Sequence, residues 1–239
     1  MCCRSIGSIA LLMFVFGCSL SDDSPAISVF TSSFDFSQSQ DDWIGDFTGL
    51  PSNDFDSTLY ELKFEYTDLP SSLGARKSIM MSGNNHSHDL FMFMKRKISG
   101  LIPNTAYNLV FEVELASNTR EGSVGAGGSP GSIYLKAGAS DIEPIKVIYY
   151  NQFVLNIDKG LQNKSGSNAI TLGDISIPSS APDYVLITRS NASSSSGQPF
   201  IAHTNSDGEL WLFIGTDSGF EGTTTVFYTK VNIVFSTAD

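Results

Sequence analysis

From Ile27 to the end of the chain, apolar and polar residues alternate with a period of two, and no window of twelve residues carries a capped helical period. Successive side chains of a strand point to opposite faces, so such alternation marks half-buried β-structure. The clearest run is 107–115, where Tyr107, Leu109, Phe111, Val113 and Leu115 share one face. A second runs through Leu62, Phe64 and Tyr66, spaced by charge. The last, 224–235, is the longest. Further strands are expected at 28–36, 78–82, 89–98, 132–138, 146–150, 184–188 and 209–214. Turn-forming clusters separate them at 82–85, 125–131, 164–168, 193–197 and 205–208.

About ten strands with Gly-rich connections predict an all-β fold, a two-sheet antiparallel β-sandwich of jelly-roll type with long loops. Residues 37–57 and 116–131 read as the two largest early loops, and loops of that length in a compact domain are often functional. The chain has 17 Phe and is 11% aromatic, which gives the sandwich an ample core. A formal charge of −11 argues against nucleic acid, whose phosphates need clustered Lys and Arg. Lys95, Arg96 and Lys97 end a strand and read as a solvated rim.

All three cysteines fall at positions 2, 3 and 18. Arg4 precedes an apolar stretch from Ile6 to Phe16 that is too short to span a membrane and ends at Gly17-Cys18. This arrangement resembles a bacterial lipoprotein signal peptide, although Phe16 stands where a small or hydroxyl residue is usual. The resemblance implies that residues 1–17 are removed and that Cys18 is acylated. Residues 18–26 would then be a flexible tether, and 27–239 a single β-sandwich domain without disulfides. Several acyl chains make an anchor stable, so the membrane is the expected partner and the bacterial cell envelope the expected location. Ser19 after the lipidated Cys fits the outer membrane, and Asp22-Asp23 is reminiscent of surface-export tethers. Ordinary secretion, or a buried N-terminal segment, remains the alternative.

Gly100, Leu101, Pro103, Asn104, Thr105, Tyr107, Leu109 and Phe111 follow a Gly-Leu-x-Pro-Asn-Thr-x-Tyr-x-Leu-x-Phe pattern similar to that of many exported β-sandwich modules. In these the turn delivers a Tyr whose hydroxyl reaches backbone near the corner. Together with 76–83, the 89–98 strand and the long final strand, residues 30–235 resemble bacterial lipoproteins carrying a galactose-binding-like, carbohydrate-binding-module-like domain. The resemblance implies a fold used for binding glycans. Such modules often place an Asp in the last strand for a structural calcium, whereas 228–232 carries Lys230.

Sugar recognition needs an aromatic ring for the C–H face and carboxylates or amides for the hydroxyls. Trp43, between Asp42 and Asp46 in the first long loop, fits that chemistry, with a Trp plugging one end of the sandwich as the alternative. Tyr149 in the Tyr-Tyr-Asn-Gln run is a second aromatic group, otherwise an edge strand. Trp211 lies within a strand and reads as core or groove wall. Asp217 and Glu221 lie in the Gly-rich 215–222 run, and Asp207 and Glu209 in 205–209. Calcium takes several such oxygens, yet the regular twelve-residue loop is missing, so no cofactor is expected beyond a calcium ion at Asp207 and Glu209. His86, His88 and Asp89 offer metal-ligating types without an evident further ligand.

The 125–131 run lacks the Gly-Lys-Ser/Thr of a phosphate loop, which excludes a nucleotide partner. Neither a Gly-x-Ser-x-Gly elbow nor a His-Glu-x-x-His helix is present. The expectation is therefore a glycan-binding protein that is not an enzyme. The alternatives are a structural or protein-interaction lipoprotein and, third, a glycan hydrolase or lyase whose carboxylate pair assembles only in space.

Overall fold

The structure, a computed structural model, describes residues 27–53, 56–122, 129–192 and 199–238. Cys18, the 1–17 and 18–26 segments, and most of the 125–131 and 193–197 turns lie outside them. Fifteen strands form among the described residues. In chain order they are β1 (Val29–Asp35), β2 (Ile44–Thr48), β3 (Leu50–Pro51), β4 (Lys63–Asp68), β5 (Lys77–Asn84), β6 (Leu90–Ile98), β7 (Ala106–Ser117) and β8 (Ile133–Ser140). There follow β9 (Lys146–Tyr149), β10 (Gln152–Leu155), β11 (Ala169–Asp174), β12 (Val185–Ser190), β13 (Phe200–His203), β14 (Leu210–Ser218) and β15 (Thr223–Thr237). A single helical turn, α1 (Ser57–Tyr60), is capped by Asp56, whose carboxylate accepts from Thr58 N–H.

The architecture is the expected two-sheet antiparallel β-sandwich. One sheet runs β12-β7-β15-β5-β4, with β1 added to β15 and β13 to β7. The other runs β11-β8-β14-β6-β2. The long strands β7 and β15 pair from Phe227↔Ala116 to Thr237↔Tyr107 and form the spine of the larger sheet. Their alternation sends Tyr107, Leu109, Phe111, Val113 and Leu115 into the shared core, where Leu90, Met92, Leu212 and Ile214 meet them from the opposite sheet. Tyr107 closes its corner as the Pro-Asn-Thr motif implies: Ile102 N–H donates to its hydroxyl at 3.0 Å.

Two sequence expectations change. The strand count rises because β2, β3, β10, β11 and β13 are short and carry little periodic signal. The 37–57 segment is not one loop. Left-handed Asp41 and Asp42 turn the chain so that β2 pairs with β6, Asp46 opposite Phe93. Gly49, at φ 78°, then passes so close to Asp89 that a Cβ would lie 1.3 Å from its carbonyl oxygen.

Trp43 requires a correction that follows from the same turn. It is 0% exposed, with its ring edge-to-face against Phe34 at 5.4 Å and Phe36 at 6.2 Å. A ring with no solvent-accessible surface cannot stack on a sugar. Trp43 plugs the sandwich.

Candidate functional site

Between β8 and β11 the chain makes an excursion, residues 141–168, over the outer face of the five-stranded sheet. Alternation puts Phe91, Phe93, Phe213, Lys136 and Asp217 on that face, away from the main core. Phe91 and Phe93 stack at 5.2 Å, and Leu155 of the excursion covers them in a second, smaller apolar cluster. That face is therefore occupied by the protein's own strap.

Lysines fasten the strap. Lys95 Nζ donates to Glu143 Oε1 and to the Pro144 carbonyl, both at 2.7 Å. Lys136 Nζ, fully buried, donates to the carbonyls of Lys159, Leu161 and Lys164 at 3.0, 2.6 and 2.8 Å. Lys159 Nζ in turn donates to Asp217 Oδ2 at 2.7 Å. Burial pushes the Lys136 amine down to about 8, the Asp217 charge opposing the shift only in part. Burial also pushes the Asp217 carboxyl up, against the pull of Lys159. A desolvated charge favours its neutral form, so both directions follow from the same covered position.

The free end of the strap is a hairpin. β9 and β10 pair with Tyr149 opposite Gln152, and the two residues between them, Tyr150 and Asn151, have φ of 45° and 60°. Left-handed conformation at both central residues is the turn that suits the twist of a two-residue hairpin. Tyr149 is 62% exposed and Tyr150 84%. Their rings lie 4.4 Å apart with planes inclined at 79°. Asn151 and Gln152, both exposed, bring amide donors and acceptors to the tip.

The tip stands on a fixed base. β3 pairs with β10, Ser52 N–H donates to the Asn151 carbonyl at 2.9 Å, and Gly49 N–H to that of Phe153 at 2.7 Å. Lys146 Nζ donates to Asp46 Oδ1 at 3.0 Å and lies over the Phe153 ring. The Asn156 side chain accepts from Ile145 N–H and donates to the Glu143 carbonyl.

Of the residues singled out by sequence, Asp46 and Tyr149 thus belong to one structure, linked through Lys146. Asp42 is exposed on the turn before β2 and is not part of that arrangement. Asp217 needs correcting as a ligand residue: it is fully buried beneath the strap and held by Lys159. Glu221 lies apart, its Oε1 2.8 Å from His88 Nε2. Asp207 sits in a tight turn, its N–H donating to Asn205 Oδ1, while the Glu209 carboxylate takes the Lys97 ammonium at 2.9 Å and is held below the usual carboxylate range by that bond. A calcium ion at Glu209 would compete with that ammonium. Among the described residues, no three or more His, Cys, Asp or Glu side chains are placed to hold a metal.

Sequence reasoning overlooked Tyr150 as a turn residue and Lys136 altogether. The signal for the first was present, two short β-runs flanking Tyr-Asn, but it lacks the Asn-Gly or Asp-Gly signature of such turns.

No protein-family model matches the sequence, and no curated protein matches it. Solved structures give distant likenesses. The enzymatically active domain of bacteriophage CBA120 tailspike protein 4 is 12% identical at a TM-score of 0.35 over 80% of this chain, which spans only 19% of that one. The carbohydrate-binding module TmCBM27, studied for mannan recognition, is 10% identical at a TM-score of 0.36, over 87% of this chain and 98% of the module. A protein from Bacteroides thetaiotaomicron to which sugar binding is ascribed is 10% identical at 0.37, over 83% and 90%. At this distance the likenesses do not bear on what the chain binds.

Proposed function

We propose that this chain is a carbohydrate-binding protein, not an enzyme, anchored through an acylated Cys18 in the bacterial cell envelope, which takes glycan on the tip of the β9–β10 hairpin. The observation that carries the reading is Tyr150. A bulky residue at positive φ costs about 1 kcal/mol or more, and strain of this kind gathers at functional positions. Here it leaves an aromatic ring 84% exposed beside a second one. Two rings and two adjacent amides supply both halves of sugar recognition: apolar faces for C–H groups, and donors and acceptors for hydroxyls. The anchor rests on Gly17-Cys18 behind a short apolar stretch, with Ser19 favouring the outer membrane or cell surface over the cytoplasmic membrane.

A protein-interaction role is the second reading, favoured by the exposed Ile148 on β9 and Ile145 just before it. A glycan array probed with the full chain in detergent micelles separates the two. Binding to a defined set of glycans, reduced about tenfold or more by Tyr150→Ala, is expected. No binding to any glycan overturns the carbohydrate reading. Fatty-acid labelling of the wild type that Cys18→Ser abolishes is the expected result for the anchor, and an unlabelled wild type refutes it.

A further inference from the structure

A cleft of about 500 Å³ opens between the sheets where the strap leaves β8 and enters β11, and residues 142–166 of the strap, its hairpin included, do not line it. Ser140 and Asp141 at the end of β8, Ser167 and Asn168 before β11, and Ile201 and His203 of β13 line it. β8 and β11 belong to the five-stranded sheet and β13 to the larger one, where it pairs only with the first residues of β7. Because β13 is a short edge strand, the two sheets part here instead of closing on each other.

We propose that this cleft is a second binding site, for a neutral polyhydroxylated ligand the size of a mono- or disaccharide, distinct from the hairpin. Its volume falls within the range of small-molecule sites, roughly 300–1,000 Å³. Its chemistry is convergent. The side chains of Asp141, just past the end of β8, and of His203 on β13 are exposed and make no hydrogen bond or ion pair among the described residues. Asn168 spends its amide oxygen on Asp158 N–H and Ser167, leaving its amide donors unused. A carboxylate accepts two hydroxyl protons, an imidazole takes or gives one, and an amide N–H donates to a hydroxyl or ring oxygen. Ile201, 42% exposed, offers apolar surface for the C–H groups of the same molecule. No Lys or Arg lines the cleft and Asp141 contributes a negative charge, so phosphorylated and uronic ligands are disfavoured.

The test uses the histidines, of which the chain has 3. The full chain in detergent micelles is titrated with methyl hexopyranosides and neutral disaccharides while the imidazole Cε1–H signals are followed by NMR, the His203 signal being identified by its loss in His203→Gln. The expected result is a saturable shift of the His203 signal with at least one of these sugars, while His86 and His88 stay fixed. Asp141→Ala, at an exposed and unpaired position, should weaken that response about tenfold, and Tyr149→Ala/Tyr150→Ala should leave it unchanged. The proposal is overturned if His203 does not respond to any of the sugars, if Asp141→Ala leaves the affinity intact, or if the response disappears with the tyrosines. Failure of the hairpin to bind glycan would leave the His203 response untouched, so the two readings fall separately.

Discussion

Lys159 Nζ lies 2.7 Å from Oδ2 of Asp217, an ion pair in which the carboxylate has no exposed surface and the lysine belongs to the strap that covers it. Lys136, also fully buried, stands 4.0 Å from the same oxygen and grips three strap carbonyls. Breaking a buried pair by removing one charge typically costs about 3–5 kcal/mol, because the partner is left uncompensated. Asp217→Asn should therefore lower unfolding free energy by about that amount in urea titrations. Amide exchange across residues 158–168 should accelerate more than in the main core. Asp46→Ala breaks the half-exposed pair with Lys146 and should cost under about 1 kcal/mol. Equal losses at the two sites would contradict the assignment of the strap's anchorage to the buried cluster.

The Lys136 amine, pushed by burial from 10.5 down to about 8, makes a distinct pH prediction. For a base with a depressed folded-state pKa, the charged form is the penalised one. The unfolded chain takes up its proton near 10.5 and the folded protein only near 8, so the penalty is complete below 8 and is relieved as pH climbs from 8 to 10.5. The stability of the wild type relative to Lys136→Met, which cannot titrate there, should rise by up to ~3 kcal/mol over that interval. Denaturation of both proteins at half-unit steps of pH measures it. A flat or falling difference would mean that the amine is not desolvated in solution.

Trp43→Ala removes a ring enclosed by Phe34 and Phe36. Large-to-small changes of a buried Trp cost about 3–5 kcal/mol, and that loss is expected here. The folded fraction should still bind glycan with unaltered affinity, since the ring contributes no surface to the hairpin tip. Fluorescence offers a direct check. Trp211 is the other tryptophan and only half-buried, so acrylamide should quench Trp211 more than Trp43. A Trp43 that is readily quenched, or whose replacement abolishes binding while stability holds, would restore it as a binding residue.

The sandwich was legible in the sequence because the long strands repeat their alternation over many residues: β7 and β15 present one apolar face throughout, and the Tyr107 corner is local. The site was less legible, for identifiable reasons. Trp43 follows Asp41-Asp42, a strong turn signal, and its ring packs on Phe34 of β1 and Phe36 just after it, which no local pattern encodes. Lys136 occupies an alternate, outward position of β8 and reads as solvent-facing. Its partners are backbone carbonyls 23 to 28 residues further on, and a carbonyl has no side-chain signature. Tyr149 was visible as an aromatic near a strand end. That Tyr150 turns the chain was not, since tyrosine is a poor residue for positive φ.

That mismatch at Tyr150 yields the sharpest test of the functional reading. If the tyrosine is there for its ring, replacing it with a residue that prefers the left-handed region should separate stability from binding. Asn tolerates positive φ far better than Tyr and is favoured at this position of a two-residue hairpin. Tyr150→Asn should raise unfolding free energy by about 0.5–1 kcal/mol through relief of strain, which for a chain of this length is a gain of roughly 1–4 °C in Tm. The same substitution should weaken glycan binding about tenfold or more, as loss of an exposed aromatic anchor does. Calorimetry and array titration on the same preparation measure both quantities. Higher stability with full affinity would make Tyr150 an incidental turn residue, and lower stability would show that its ring is held by packing and not by strain.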